Sequence, residues 1–381
     1  MNFDFSEEQI QLREALVRLL DRGYEFDKRK QIVGSESGMS REIWQQLAEL
    51  GVLSMALPEA HGGAGGNAVD TLVIMEALGR RIVVEPYLPC IVLGAGLVAR
   101  AGSDAQRARL LPRVAAGQHL LALAHDEADT RYELASVATR ARADGGDYLL
   151  DGKKTVVLGG AAADTLIVSA RTAGEPGDPA GVSLFLVDAT APGVTRHGYA
   201  THDGQRAADI TLAGVRVGGD ALLGPAGGGT ALVEHAIEHG IAALCAEALG
   251  VMSVLVDLMS SYVKTRKQFG VAIGTFQVLQ HRLADMLMRV EQARSMAYLL
   301  ATTVDSDDAA LRRRVTAAAK TVIDQAGRFV GQQAIQLHGG IGVTHEAPVS
   351  HYFKRLTLIG LTFGDADHHL ARYSDLMARD A

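Results

Sequence analysis

The spacing of apolar residues changes twice along the chain and divides it into three regions. The first region shows helical spacing in three segments, at Leu12, Leu16 and Leu19, at Ile43, Leu47 and Leu50, and over 68–79. Ser6 and Gln9 form a capping box ahead of the first segment, and Ser40 is a typical N-cap for the second. The first third of the chain is therefore predicted to be helical.

From about residue 120 the spacing becomes that of short strands. Apolar runs at 165–170, 182–187 and 210–217 are separated by Gly and Pro clusters. The pair Asp151-Gly152, between 148–150 and 153–158, predicts a two-residue hairpin turn because it tolerates the positive φ of a type I′ turn. The middle region is predicted to form a β-sheet or a small barrel.

After the glycines at 227–229 the helical spacing returns in long segments. Two apolar stripes are present, at Leu244, Ala248, Val251, Leu255, Met259 and Tyr262, and at Leu283, Met286, Val290, Ala297 and Leu300. Such stripes are more typical of a core than of cofactor contacts. We predict a mainly α fold with a central β-domain. Its domains are an N-terminal helical domain at 1–118, a middle β-domain at 119–228 and a C-terminal helical domain at 229–381.

The composition excludes several classes of protein. Of the 381 residues 48% are apolar, and the 42 glycines follow no Gly-X-Y period, which excludes a disordered or fibrous chain. The net charge of −7 argues against a nucleic-acid-binding face. Cys90 and Cys245 are too few for a disulfide framework, so we expect a cytoplasmic location. The most apolar long stretch, 242–259, carries Glu247 and Asp257, which argues against a membrane span.

Four short segments are candidates for chemistry, at 266–270, 276–277, 336–342 and 363–369. No nucleophile motif, P-loop or metal-ligand spacing accompanies them, so no metal site is expected. Each segment also has a purely structural interpretation. Arg266 could close its helix, Gly339-Gly340 could stop a helix, and His368-His369 is expected to be a solvated helix start.

Taken together and in this order, these segments resemble the acyl-CoA dehydrogenase family. The resemblance spans essentially the whole chain. Its motifs are Phe5-Ser6-Glu7-Glu8-Gln9, Leu50-Gly51-Val52, Pro58-Glu59-x-x-Gly62-Gly63, Gln106-x5-Pro112 with Gly117, Leu150-Asp151-Gly152-x-Lys154, Ala163-Asp164, Arg266-x-x-Phe269-Gly270 and Gln336-x-x-Gly339-Gly340-x-Gly342. Arg131-Tyr132-Glu133-Leu134 and the segment 154–158 are most similar to the pimeloyl-CoA dehydrogenase small-subunit branch. The family's C-terminal domain is a four-helix bundle.

The resemblance implies an FAD enzyme that oxidises the Cα–Cβ bond of an acyl-CoA thioester to the trans-2-enoyl-CoA and passes electrons to an electron-transfer flavoprotein. In such a site a carboxylate removes the α-proton while the flavin accepts hydride from Cβ. By motif position, the residues that resemble FAD contacts are Arg266, Phe269, Gln277, Gln336, Gly339, Gly340, Val156, Val157, Leu158, Ala366 and His368. Assembly is expected as a homo-oligomer or as a heteromer with a sister subunit.

The chain departs from the family pattern at three places. The usual catalytic glutamate position reads as Gly364, so that Asp365 either is the base after a one-residue shift or only caps the next helix. Glu238 and Glu247 lie near an alternative position for the base, and neither matches it. Val156 stands where an aromatic residue is usual, and the flavin loop is replaced at 126–133.

These departures fit a subunit of a heteromeric dehydrogenase acting on bulky or dicarboxylic acyl-CoAs, such as steroid-side-chain, ring-derived or pimeloyl thioesters. An alternative is a catalytically silent partner that completes the FAD site of a sister chain. A third hypothesis is a flavin oxidase or monooxygenase on the same scaffold.

Overall fold

The computed structural model describes the backbone of residues 5–380 and the side chains of residues 5–378. The chain forms two compact units. The first draws on Met1–Lys30, Ala68–Val83 and Ile241–Ala381, and the second on Gln31–Asn67 and Val84–Gly240. These units are groups of segments that pack together, whereas the predicted domains at 1–118, 119–228 and 229–381 are consecutive stretches of sequence. The units therefore do not test the predicted domain boundaries. Those boundaries stay predictions.

The segments before the sheet are helical, as predicted. The helices are α1 (Glu7–Gly23), α2 (Phe26–Gly34), α3 (Arg41–Glu49), α4 (Ala68–Arg80), α5 (Gly96–Ala101) and α6 (Asp104–Ala115), with a π-helical segment at Leu88–Ala95. The capping box is confirmed, because Ser6 Oγ accepts the Gln9 N–H at 3.2 Å and Gln9 Oε1 accepts the Ser6 N–H at 3.0 Å. In the first unit α1 packs against α4, and Leu16 is fully buried.

The second unit is built on an eight-stranded sheet in the order β6-β7-β3-β2-β4-β5-β8, with β1 paired to β4. The strands are β1 (Leu121–Ala124), β2 (Arg140–Asp144), β3 (Asp147–Leu158), β4 (Thr165–Arg171), β5 (Val182–Asp188), β6 (Val194–Ala200), β7 (Arg206–Val217) and β8 (Leu222–Leu223). β1 runs parallel to β4, whereas β5 and β4 are antiparallel, with Val168 opposite Phe185. Both of these side chains are completely buried in the core of the sheet.

The hairpin predicted at Asp151-Gly152 is wrong, because β3 continues through this pair. The turn that joins β2 to β3 is made by Gly145 and Gly146, whose φ angles are +62° and +98°. Gly152 has a different function, since a Cβ there would lie 2.4 Å from Thr139 Oγ1. It therefore allows close approach within the sheet rather than a reversal of the chain.

The C-terminal segment is helical again. Its elements are α7 (Gly229–Thr265), the short strands β9 (Lys267–Gln268) and β10 (Val271–Ala272), and the helices α8 (Gln277–Ala301), α9 (Ala309–His338), α10 (Pro348–Leu361) and α11 (Ala366–Asp380). In the first unit α9 contacts α8, α10 and α11. Both predicted apolar stripes face inward, and only Tyr262 and Leu283 are partly exposed.

Helix α7 is long and apolar enough to cross a membrane by length and composition, with a mean hydropathy of 2.0 in its most apolar window. However, 67% of that window is buried inside the protein, as is usual for a core helix. Glu247 on this helix forms a buried two-pronged ion pair with Arg355, at 2.5 and 2.6 Å. This contact accounts for the acidic residue in the apolar stretch.

Candidate functional site

A short hairpin after α7 brings three of the predicted residues together. The Arg266 N–H donates to Tyr262 O at 2.8 Å, and the Ile273 N–H donates to Arg266 O at 2.9 Å. Strands β9 and β10 pair between these bonds, which places Phe269 at the tip and Gln277 at the first position of α8. The three residues therefore share one end of the helical unit.

The side chains of this hairpin are free to bind another molecule. Phe269 is 91% exposed and has a φ of +53°, which is uncommon for a residue other than glycine. Between residues 5 and 380 the Arg266 guanidinium makes no hydrogen bond or ion pair. A guanidinium with free donors can hold a phosphate through two parallel hydrogen bonds. Arg266 thus meets the chemical requirement of its predicted function.

The predicted glycine turn follows α9 and lies beside the end of α7. The Tyr262 hydroxyl donates to His338 O at 3.3 Å, and the two rings stack at 4.5 Å. Gly339 ends the helix with a φ of +65°, as its structural interpretation predicts. A Cβ on Gly339 or Gly340 would meet no atom within 4 Å, so the backbone there is open to a ligand or another chain. Gln336, one turn earlier, is exposed.

Asp365 lies in the turn between α10 and α11, and its carboxylate caps α11. Its Oδ1 accepts the His368 N–H at 2.9 Å, while Oδ2 has no hydrogen bond from the described residues. Phe363 and Gly364 have φ angles of +60° and +110°. A Cβ on Gly364 would lie 2.5 Å from His369 Nε2, so this position cannot carry a side chain unless the histidine moves. Asp365 therefore caps α11, and its function as a base stays a prediction.

The expectation of a solvated helix start is wrong for His369. This side chain is 0% exposed, and its Nε2 donates to Phe363 O at 2.9 Å. Burial lowers the pKa of His369 to about 3, so the ring is neutral. His368, a predicted FAD contact, is partly exposed at the same helix start. The difference arises because α11 packs against α9, which turns one of two adjacent residues inward.

Two residues of α9 hold both helix ends that flank the Asp365 turn. Lys320 Nζ donates to Ile359 O at 2.6 Å and to Gly360 O at 2.9 Å, at the end of α10. Asp324 Oδ2 accepts the Ala366 N–H at 2.8 Å, at the start of α11. Burial lowers the pKa of Lys320, while the nearby acidic groups oppose this effect. The turn is therefore fixed from both sides.

The remaining predicted residues lie in the second unit, on β3. Val156 is 48% exposed, and Leu158 is partly exposed. The Val157 side chain, in contrast, is buried in the core of the sheet, so it offers only its backbone to a ligand. Val156 has a φ of +51° and lies at a break in the β3–β7 register, which explains why these neighbours differ. Our prediction treated the three as equivalent.

A buried charged cluster next to this segment was not predicted as a site. Lys154 is completely buried, and its Nζ donates to Glu127 Oε1 at 2.7 Å, to Ser169 Oγ at 3.0 Å and to His125 O at 3.1 Å. The Thr155 N–H donates to Asp126 O at 2.8 Å. These bonds tie β3 to the segment that follows β1. The sequence signal for this cluster was Lys154, which directly precedes the mainly apolar residues 155–158.

Burial shifts the pKa values of this cluster. It lowers the pKa of Lys154 to about 8 and that of His125 to about 3, and it raises the pKa of Asp126 to about 6. Burial alone would raise the pKa of Glu127, but the Lys154 ammonium holds it below its ordinary value. Among the described residues no group of three or more His, Cys, Asp or Glu side chains is placed to hold a metal ion.

The residues present fit FAD. In the first unit Arg266 has free donors for a pyrophosphate, and the open backbone at Gly339 and Gly340 allows close approach. In the second unit the exposed Val156 gives a small apolar surface for a flat ring, although it lacks the stacking area of an aromatic residue.

Comparison with known proteins agrees with this fold. Sequence models of the N-terminal, middle and C-terminal domains of acyl-CoA dehydrogenases match residues 6–118, 122–214 and 227–374. The chain is 30% identical to the probable acyl-CoA dehydrogenase FadE25 of Mycobacterium tuberculosis, with 92% of this chain and 90% of the relative covered.

Two solved structures are similar over nearly their whole length. A variant of the Tcur3481–Tcur3483 steroid ACAD has 33% identity and a TM-score of 0.88, with 98% of both chains covered. The ChsE4–ChsE5 complex of Mycobacterium tuberculosis has 28% identity and a TM-score of 0.90, with 99% of both chains covered.

These matches define a three-domain flavoprotein fold, with helical N- and C-terminal domains and a central sheet. The chain belongs to the acyl-CoA dehydrogenase family of flavin-dependent oxidoreductases. FadE25 is named as a probable acyl-CoA dehydrogenase, and this does not favour the alternative of a catalytically silent subunit.

Proposed function

We propose that this chain catalyses FAD-dependent α,β-dehydrogenation of an acyl-CoA thioester to the trans-2-enoyl-CoA. The observation that carries the proposal is the match to a steroid ACAD at 33% identity over 98% of both chains. The exposed Arg266 and the open glycine turn support it, because they offer the donors and the space that FAD requires.

Each predicted residue then has a specific function. Arg266 and Gln277 would reach the FAD phosphates and adenosine across a subunit interface, with Phe269 and His368 packing beside them. Gln336 would lie, with the glycine turn, against the neighbouring subunit's FAD. The backbone at Gly339 and Gly340 would approach the cofactor closely, and the segment Val156, Val157 and Leu158 would line the ring. When bound, FAD accepts the hydride equivalent from the β-carbon of the substrate.

Asp365 is our candidate for the base that takes the α-proton. Its Oδ1 is engaged by the His368 N–H, and its Oδ2 has a free lone pair for a proton. The α9 residues Lys320 and Asp324 fix the turn that carries Asp365. A carboxylate held in this way keeps its orientation while it removes the proton, which favours general-base catalysis.

We also propose that the chain works as an oligomer, as a homo-oligomer or with a sister subunit. The names of both similar structures describe paired proteins, and one is a steroid ACAD. Large apolar side chains are exposed on the C-terminal helices at Val278, Leu287, Met288, Leu299, Leu361, Leu370 and Met377. Coverage by another chain would remove this apolar surface from water. We further propose that the substrates are bulky acyl-CoAs and that an electron-transfer flavoprotein accepts the electrons. The proposed location is the cytoplasm.

The test is to purify the chain alone and together with a sister acyl-CoA dehydrogenase chain from the same genome. We expect flavin absorbance and a multi-chain mass in at least one preparation. Anaerobic addition of butyryl-CoA, pimeloyl-CoA or a steroid-side-chain CoA thioester should bleach the flavin, and an electron-transfer flavoprotein should restore the colour. If both preparations are colourless and take up no added FAD, the proposal fails.

A further inference from the structure

The segment of β3 that we propose to line the flavin ring has an irregular backbone. Val156 has a φ of +51°, a conformation that is strongly unfavourable for a β-branched residue. The β3–β7 register breaks at the same place, since Lys154 pairs with Ile210 while Val157 pairs with Ala208. Two residues of β3, Thr155 and Val156, therefore lie opposite Asp209 alone, which defines a β-bulge.

A side chain replaces the strand bond that this bulge removes. Asp209 Oδ1 accepts the Val156 N–H at 3.2 Å and the Tyr199 hydroxyl at 2.9 Å. Asp209 lies on β7 and Tyr199 on β6, so three strands converge on one carboxylate. Burial and the bond to Asp209 raise the pKa of Tyr199 to about 12, as expected for a phenol that donates to a carboxylate. The phenol therefore remains a donor throughout the neutral range.

The other side of the bulge is held by different contacts. The Thr155 N–H donates to Asp126 O, and Lys154 Nζ donates to Glu127. Three consecutive residues of β3 are thus bonded to groups outside the regular ladder. A residue other than glycine keeps a left-handed backbone conformation only where several surrounding contacts hold it there. Such strained conformations are concentrated at functional sites.

We propose that Asp209, supported by Tyr199, is a positioning residue for the ring-lining segment. Its carboxylate holds Val156 in the left-handed conformation and keeps the Val156 side chain exposed on the face offered to the flavin. The inference rests on the proposed function, because it requires FAD to bind along Val156–Leu158. Asp209 itself acts through the backbone of Val156 and is not assigned a contact with the cofactor.

The chain offers a matched control within the same pair of strands. β3 and β7 have a second register break, between Leu150 and Gly152, where Asp151 Oδ1 accepts the Gly214 N–H at 2.7 Å. Asp151→Ala removes the same kind of bond from the same ladder but leaves the Val156 bulge intact. Asp209→Asn is the conservative variant, since its amide oxygen still accepts the Val156 N–H.

The experiment compares holoenzyme carrying Asp209→Ala, Asp209→Asn, Tyr199→Phe or Asp151→Ala. We expect Asp209→Ala to weaken FAD binding about five- to tenfold and to shift the visible flavin band and the flavin reduction potential. Asp209→Asn should restore the wild-type values, Tyr199→Phe should give a smaller change in the same direction, and Asp151→Ala should leave the flavin unaffected. Hydrogen exchange of the peptide containing Val156, in apo protein, should accelerate in Asp209→Ala, less in Tyr199→Phe, and not in Asp209→Asn or Asp151→Ala.

Two results would overturn the inference. One is unchanged exchange at Val156 in Asp209→Ala, which would show that the carboxylate does not hold the bulge. The other is accelerated exchange with an unchanged flavin spectrum, potential and affinity. A wild-type protein that takes up no FAD would instead overturn the proposed function, and the exchange measurement would still decide whether Asp209 holds Val156.

Discussion

Two substitutions of Asp365 distinguish its function as a helix cap from its proposed function as the catalytic base. Asparagine is about as good an N-cap as aspartate, but it cannot accept a proton at neutral pH. Asp365→Asn should therefore keep the bond to the His368 N–H, which is 2.9 Å long in the wild type. Asp365→Ala removes both the bond and the basic group.

The structure sets the size of each effect. Loss of an N-cap typically costs about 1 kcal/mol of unfolding free energy. The cost here should be at or below that value, because Asp324 separately bonds the Ala366 N–H at the same helix start. Asp365→Asn should change the stability by only a few tenths of a kcal/mol. Loss of a general base should slow the reaction about 100- to 10,000-fold in both variants.

The assays are urea unfolding and anaerobic stopped-flow bleaching of the bound flavin. The acyl-CoA used is whichever of butyryl-CoA, pimeloyl-CoA and a steroid-side-chain CoA thioester reduces the wild type fastest. The expected result is that Asp365→Asn is about as stable as the wild type and retains FAD, but its flavin is bleached about 100- to 10,000-fold more slowly. Bleaching of Asp365→Asn at the wild-type rate would refute our assignment and leave Asp365 as a helix cap only.

Three further predictions follow from charge and burial. Arg266→Ala should weaken FAD binding about 10- to 100-fold, whereas the neighbouring Lys267→Ala should leave it unchanged in the same equilibrium titration. The pKa of Asp126 rises from 3.8 to about 6 in the fold, so its ionisation lowers the stability as the pH rises from about 4 to 6, and the full cost is present above that window. Asp126→Asn should therefore stabilise the protein by at most about 3 kcal/mol at pH 7 and by nothing below pH 4, and a pH-independent difference in urea unfolding would contradict this. The pKa of His369 falls from 6.5 to about 3, so only the unfolded chain takes up this proton and stability decreases as the pH falls through that window. His369→Gln should reduce this acid sensitivity in urea unfolding, and an unchanged pH dependence would contradict the prediction.

The helices α1, α3, α4, α7 and α8, the caps Ser6 and Ser40, and the strands β4, β5 and β7 were predictable because their signals are local. A capping box needs residues three apart, and an apolar stripe needs only a regular period. The strands β1, β2 and β6 were missed. β2 and β6 are short and largely polar, and β1 has only four residues before a polar segment. Their formation depends on pairing with neighbours, which a single segment does not record.

The motifs in order along the chain were enough to indicate the family, and the comparisons confirmed it. The environment of each candidate residue was decided by the tertiary structure. Packing of α11 against α9 buries His369 and leaves His368 partly exposed, and the bulge in β3 leaves Val156 exposed beside the buried Val157.

The position of the turn between β2 and β3 was also decided by the tertiary structure and not by the local sequence. Asp151-Gly152 and Gly145-Gly146 both have the composition of a hairpin turn, and sequence patterns alone favoured the first pair. Pairing of β2 with β3 selects the second pair, because only that turn places Ala141 opposite Leu150 with both side chains buried. Local propensity determined which elements were available, whereas contacts between residues distant in the sequence decided which pairings formed and which side chains face the site. The burial free energy of the core depends on those contacts, and a local pattern does not contain them.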